Sequence, residues 1–271
     1  MDRKSIQVGF LGCGEMGSML LEAALQDGIL TVENTRVAER NPARRDSLKS
    51  LGIDVAESPD RLGGCDRIIL AVRPQQFEAA AAEVGCSNSP RLAISIMAGI
   101  GSHAIRRSLG EQTRVVSCMP NAPVKIHLGV TALMPSENST EDDLDFAQSL
   151  FNTIGTTEVL PESALWAVTA VSGSGPGYVA LVAEAMLQEA IELGLDPSVA
   201  ERLIARTIAG TGQLLTEHAG GPEALRQAVT TPGGTTEAGI NRMREMKLVD
   251  AIRGGLKAAH DRGESLAGET Q

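Results

Sequence analysis

Ile6-Gln7-Val8-Gly9-Phe10-Leu11-Gly12-Cys13-Gly14-Glu15-Met16-Gly17 stands near the start of the chain, and Met19, Leu20, Ala23 and Ala24 follow it at helical spacing. The order is apolar strand, glycine turn, amphipathic helix, with G-x-G-x-x-G placed where a Rossmann unit puts it. Each glycine has a physical task there. Gly12 makes the tight turn, Gly14 lets a pyrophosphate approach the backbone, and Gly17 lets the helix lie close to the strand. The expected fold class is therefore α/β, beginning with a dinucleotide-binding domain.

Working outward, a second strand at Arg36 to Ala38 runs into Glu39-Arg40-Asn41-Pro42. The end of this strand faces the adenosine ribose, where a carboxylate suits the free hydroxyls of NAD and an arginine suits the extra phosphate of NADP. Both types are present. Arg40 points the reading to NADP(H) rather than NAD(H), and Arg44 and Arg45 either add to a phosphate site or form a solvated helix face. Further strands are expected at Asp66 to Val72, Arg91 to Met97 and Arg114 to Cys118. The first two are near-continuous apolar runs, as suits strands covered on both faces. They end in Arg73-Pro74-Gln75 and Ala98-Gly99-Ile100, and strand C-termini are where ligands bind in open α/β sheets. The third ends in Met119-Pro120-Asn121; Asn121 offers an amide to the nicotinamide or substrate, or simply forms a turn.

Strand signals fade after Leu160, and helical stripes replace them in Val179 to Leu193 and Ala200 to Leu215. Pro176, after Ser172-Gly173-Ser174-Gly175, suits an early helical position. The expected division is a Rossmann domain over 1–160 and a helical domain over 161–271, with the boundary near Pro161 and a frayed tail from Gly263 to Gln271. So small a helical domain lacks a core of its own, and burial against a second copy would supply one, which predicts a homodimer. Within it lies Thr230-Thr231-Pro232-Gly233-Gly234-Thr235-Thr236, ahead of an expected helix from Glu237 to Leu248. A Gly-Gly bend opening a helix, flanked by hydroxyls, forms a cradle for a small carboxylate. The alternative is an ordinary loop with a Thr cap.

Composition narrows the classes. Net charge is −10, which argues against nucleic acid or an anionic membrane as partner. No stretch reaches the roughly 20 apolar residues that cross a bilayer. Aromatics make up 2% of the 271 residues, so the core must be aliphatic. Cys13, Cys65, Cys86 and Cys118 show no metal-ligand spacing and read as buried thiols of a reducing cytoplasm. His103, His127, His218 and His260 read as surface or packing residues, and no metal site is expected.

Taken together, the chain resembles the Δ1-pyrroline-5-carboxylate reductases. The matching segments are Gly12 to Gly17, Ala71-Val72-Arg73-Pro74-Gln75, Ser95-Ile96-Met97-Ala98-Gly99, Met119-Pro120-Asn121-Ala122-Pro123 with Gly129, Ser172 to Tyr178, and Thr231-Pro232-Gly233-Gly234-Thr235-Thr236. They stand in family order and spacing. The resemblance implies NAD(P)H-dependent reduction of a cyclic imine carboxylate to L-proline. It also implies a Rossmann domain joined to a helical dimerisation domain, and dimers that in some members stack into decamers. It places substrate on Thr231, Gly234, Thr235, Thr236 and Asn121, with the Thr236 hydroxyl on the ring nitrogen as the catalytic group. Cofactor contacts fall on Leu11, Gly12, Gly14, Glu15, Met16, Gly17, Arg40, Asn41, Ser58, Ala71, Val72, Arg73, Pro74, Met97, Ala98 and Gly99.

The chain departs from the family pattern at Glu15, where asparagine is usual beside the pyrophosphate, and at Ser117, where arginine is usual. Milder departures are Arg73, Ala122, Gly177 and Thr231. A related cyclic imine as substrate and a non-catalytic NADP-binding dimer are the alternatives. A hydroxyacid dehydrogenase would want a lysine or histidine acid in Ser172 to Glu184, which has neither.

Overall fold

The computed structural model describes residues 7–217 and 219–269. Ile6 and His218, both named above, lie outside them, as do the last two residues of the tail. The chain divides into two compact units, 1–173 together with 260–271, and 174–259. The boundary expected near Pro161 lies within the first.

The first unit is an eight-stranded sheet in the order β3-β2-β1-β4-β5-β6-β7-β8. Its strands are β1 (Val8–Leu11), β2 (Thr35–Ala38), β3 (Asp54–Ala56), β4 (Arg67–Leu70), β5 (Arg91–Ser95), β6 (Thr113–Pro120), β7 (Gly129–Pro135) and β8 (Gly155–Val159). Neighbours pair in parallel except β6 with β7, so β7 and β8 run against the rest. The apolar runs at β4 and β5 are shorter than expected because each strand stops where the chain turns away into its loop.

Helices α1 (Glu15–Gln26), α2 (Pro42–Ser50), α3 (Phe77–Val84), α4 (Ser102–Leu109) and α5 (Glu141–Asn152) connect the strands. Strand alternation divides the core between the two faces. Phe10, Ile69, Leu92, Ile94 and Val116 join Leu20, Leu21, Leu150 and Phe151 of α1 and α5 in one cluster. Leu11, Ile68, Leu70, Ala93 and Val115 join Phe77, Ala81, Ile105 and Leu109 of α3 and α4 in the other. Helix starts are set locally. Asn41 caps α2 by accepting the Arg44 N–H, with Pro42 in the first turn, and Thr140 with Asp143 forms a capping box on α5.

A short helix α6 (Leu165–Val168) runs into a π-helical turn, Thr169–Gly173. The second unit holds α7 (Gly175–Glu192), α8 (Pro197–Glu217), α9 (Gly221–Ala228), α10 (Thr235–Glu245) and the first part of α11 (Leu248–Glu269). The helix expected over Glu237 to Leu248 is thus interrupted: Lys247 takes φ 61°, which ends one helix before the next starts. The tail is not frayed from Gly263, because α11 continues to Glu269 and Gly263 packs on the Trp166 ring, where an added Cβ would lie 2.3 Å from Trp166 Cε3. The stripe Val182, Met186, Ala190, Leu193 is not buried within the chain: Val182, Met186 and Leu193 are exposed, and α7 buries none of its residues.

Candidate functional site

The first unit carries a cleft of about 590 Å³ at the C-terminal ends of β1, β2 and β4. The glycine turn shapes it. Gly12 takes φ 79°, and a Cβ there would lie 2.7 Å from Val72 Cγ1, so only glycine fits. Gly17 faces Ala71 Cβ at 3.1 Å from where its own Cβ would be, which brings α1 down onto β4. Gly14 caps α1 and has no side chain to satisfy the first N–H groups of the helix, whose start at Gly14 and Glu15 lines the cleft.

Glu39 holds the turn from the other side. Its Oε2 accepts the Cys13 N–H at 2.8 Å and its Oε1 accepts the Asn41 N–H at 2.8 Å, with the side chain largely buried. Arg40 pairs with Glu83 of α3, while Arg45 donates to the Glu39 and Arg40 carbonyls and pairs with Glu57. Burial pushes the Cys13 thiol up to about 11, despite its hydrogen bond with Ser18, so it is a neutral wall group.

Of the expected cofactor residues, Leu11, Gly12, Gly14, Glu15, Arg40, Asn41, Ala71, Val72 and Arg73 line this cleft. Met16 and Gly17 stand behind it in α1, Ser58 precedes the 3₁₀ turn Pro59–Leu62, and Pro74 opens the turn Pro74–Gln76. Met97, Ala98 and Gly99 follow β5. Met97 is buried, and Gly99 borders a second cavity of about 590 Å³ with Ile100, His103, Arg107, Glu162 and Trp166. Glu162 accepts the Ser102 N–H and hydroxyl at 3.0 Å each and so caps α4. Cys13, within the glycine turn, also lines the cleft, as do Glu57, Pro59, Gln76 and Ala80, which no motif marks.

Asn121 has both ends of its amide engaged. Its Oδ1 accepts the Val130 N–H at 3.0 Å, and its Nδ2 donates to Ser172 Oγ at 3.3 Å, tying the ends of β6 and β7 to the π-turn. Ser117 is buried in β6 between Ser95 of β5 and Met134 of β7. His127 meets the Thr153 carbonyl through Nδ1 at 2.8 Å, and His103 is exposed at the second cavity.

The threonine loop belongs to the second unit. Gly233 takes φ 71°, the Gly234 N–H donates to the Thr231 carbonyl at 3.0 Å, and Gly234 caps α10 with no side-chain bond. The loop is therefore no Thr-capped turn. The Gly233 N–H already serves an anion, the Glu237 carboxylate, at 2.7 Å. The hydroxyls of Thr231, Thr235 and Thr236 have no partner among the described residues. Open hydroxyls beside the free N–H groups of a helix start suit a carboxylate.

The chain is similar to known proteins along nearly its whole length. The family profile described as pyrroline-5-carboxylate reductase dimerisation matches residues 162–266, and that described as NADP oxidoreductase, coenzyme F420-dependent, matches 7–99. The pyrroline-5-carboxylate reductase of Thermus thermophilus is 36% identical over 269 residues, 98% of this chain and 100% of that one. The chain belongs to the pyrroline-5-carboxylate reductase family. Among solved members, the pyrroline-5-carboxylate reductase of Coxiella burnetii superposes with a TM-score of 0.88 at 29% identity, covering 96% of this chain and 98% of that one. A Plasmodium falciparum pyrroline carboxylate reductase, solved with NADP bound, shares the fold with a TM-score of 0.84 at 24% identity, covering 97% and 98%. As a pyrroline-5-carboxylate reductase family member the chain is an oxidoreductase, and its glycine cradle, too tight for any Cβ at Gly12, fits the nicotinamide dinucleotide of that family.

Proposed function

We propose that the chain reduces Δ1-pyrroline-5-carboxylate to L-proline with a reduced nicotinamide dinucleotide. The carrying observation is the family membership along nearly the whole chain, together with a cleft at the glycine turn and a threonine loop whose Thr231, Thr235 and Thr236 hydroxyls are open. The dinucleotide, when bound, supplies the hydride from nicotinamide C4 to the imine carbon.

The protein's own task is positioning. A protonated cyclic imine is already a strong electrophile, so the residues need only orient the ring and keep water out. Thr231 and Thr235 hold the substrate carboxylate with hydroxyls and helix-start N–H groups, and Gly234, whose own N–H bonds the Thr231 carbonyl, lets it come close to the backbone. Thr236 holds the ring nitrogen; its hydroxyl is too weak an acid to serve as a general acid, and its role is orientation. Asn121 positions the turns around it through Val130 and Ser172, which supports an indirect role. Leu11 to Gly17 and Ala71 to Pro74 take the dinucleotide diphosphate and ribose, and Met97, Ala98 and Gly99 its nicotinamide end.

NADPH is the preferred form on this reading, with Arg40 turning from Glu83 to the 2′-phosphate and Arg44 beside it. The dinucleotide-binding domain spans 1–160 and the helical domain 161–271, which the match of the dimerisation profile to 162–266 supports. The chain acts in the cytoplasm as a homodimer, which the dimerisation profile supports. The helical run Glu162–Glu192 has mean hydropathy 1.2 over its most apolar window, but length and composition alone do not make it a membrane span. Its apolar face is the surface a second copy covers. The test is NADPH oxidation with racemic pyrroline-5-carboxylate as the only electrophile and the product separated by chromatography. L-Proline is expected, and a folded, NADPH-binding protein that forms none would overturn the assignment.

A further inference from the structure

The mouth of the cofactor cleft holds a carboxylate where a diphosphate is to dock. Glu15 is the first residue of α1, beside the N–H groups and the positive helix end that attract phosphate. Left alone it would repel the cofactor. The structure pairs it with the Lys125 ammonium, which arrives from 110 residues further along the chain.

Lys125 is delivered by a turn with little freedom. It lies in the 3₁₀ turn Ala122–Ile126, whose Val124 is 2% exposed. The turn folds so closely over Gly129 that a Cβ there would lie 2.1 Å from Val124 Cγ1. Immediately after it, His127 is fixed by its bond to the Thr153 carbonyl. Arg44 approaches the same mouth, with Nη1 3.6 Å from where a Cβ on Gly14 would stand. The bond and the charge of Lys125, with a smaller contribution from Arg44, hold the Glu15 carboxyl below the usual range. An ammonium carries three donors, and the Glu15 carboxylate occupies only part of them.

We propose that Lys125 is a ligand of the cofactor diphosphate, held over its site by Glu15. The proposal rests on the dinucleotide reading of the cleft. It gives the chain a phosphate-binding cation outside the glycine turn, and it gives Glu15 a purpose: one carboxylate keeps the lysine in place before the cofactor arrives, and the two anions then share its donors.

The test is direct titration of NADPH by fluorescence at low ionic strength, with wild type, Lys125→Met, Glu15→Gln and the double variant. Both side chains are more than half exposed, so the variants keep the fold, which circular dichroism verifies. Lys125→Met is expected to raise the Kd roughly tenfold. Glu15→Gln, which frees the lysine, is expected to raise it by a smaller factor, wild-type affinity there removing the holding role of Glu15, and the double variant stays as weak as Lys125→Met. Adenosine 2′-monophosphate, which has no diphosphate, should bind wild type and Lys125→Met alike. Wild-type affinity for NADPH in Lys125→Met overturns the proposal. So does wild-type affinity in the double variant, which would make Lys125 a mere screen for Glu15, or an equal loss with adenosine 2′-monophosphate. Failure of the wild type to bind NADPH or NADH would instead overturn the dinucleotide reading, and this inference with it.

Discussion

The Glu39 carboxylate accepts the backbone N–H of Cys13, in the middle of the glycine turn, at 2.8 Å. With its second bond, to the Asn41 N–H, it joins the end of β2 to the glycine turn. Glu39→Ala strands both N–H groups in a largely buried place and should cost about 2–4 kcal/mol of stability. Glu39→Gln, which keeps one acceptor, should cost roughly half as much. Urea unfolding midpoints check this; an unchanged midpoint for Glu39→Ala would show that the turn holds itself.

Arg40 and Glu83 form an ion pair with side chains 60% and 42% exposed. Breaking it should change stability by less than about 1 kcal/mol. Arg40→Ala should raise KM for NADPH far more than for NADH, whereas Glu83→Gln, by freeing the guanidinium, should lower KM for NADPH. Equal effects on the two cofactors would remove Arg40 as the reader of the 2′-phosphate.

Thr236 has no hydrogen-bond partner within the described residues, so its hydroxyl does nothing for the fold. Thr236→Ala should leave the melting temperature within about a degree while lowering kcat roughly tenfold or more. Thr236→Ser should recover most of the loss. Wild-type turnover in the alanine variant would sink its assigned role.

Asn121→Ala removes an acceptor from the Val130 N–H and a donor from Ser172. A stability loss of about 1–3 kcal/mol is expected, with a fall in kcat larger than any rise in KM for cofactor. Thermal unfolding and steady-state kinetics read the two effects separately. A normal kcat in a folded variant would show that the π-turn keeps its place without the amide.

Cys13, Cys65 and Cys118 are buried as expected, and burial raises all three thiols, Cys13 to about 11; Cys86, expected to be buried with them, is instead exposed. For Cys13 the folded state favours the protonated thiol. Its contribution to stability is therefore full below the ordinary value of 9.0 and is lost as pH rises from there through about 11. At pH 8 a maleimide should label Cys86 rapidly and the other three slowly, read by peptide mass spectrometry. Rapid labelling of Cys13 would contradict its burial.

The sequence by itself determined the local chemistry. The glycines at Gly12, Gly14 and Gly17 announce a strand, turn and helix because the steric needs of such a turn are met by few residues, and the apolar runs at β4 and β5 announce covered parallel strands. The threonine loop was legible for the same reason, since Gly233 and Gly234 mark a bend that opens a helix. Strands β3, β7 and β8 were not read: β3 has three residues, and in β7 and β8 the apolar positions do not separate strand from helix. Only the tertiary structure decided the pairings that complete the site. Glu39 under Cys13, Glu83 on Arg40, Lys125 on Glu15 and Asn121 between Val130 and Ser172 join residues from different elements, and a polar side chain's sequence neighbours say nothing of the partner that will satisfy it. The exposed stripe on α7 marks the same limit one level higher. Its spacing specifies a helix with an apolar face, while what buries that face is settled by packing and, on our reading, by a second copy of the chain.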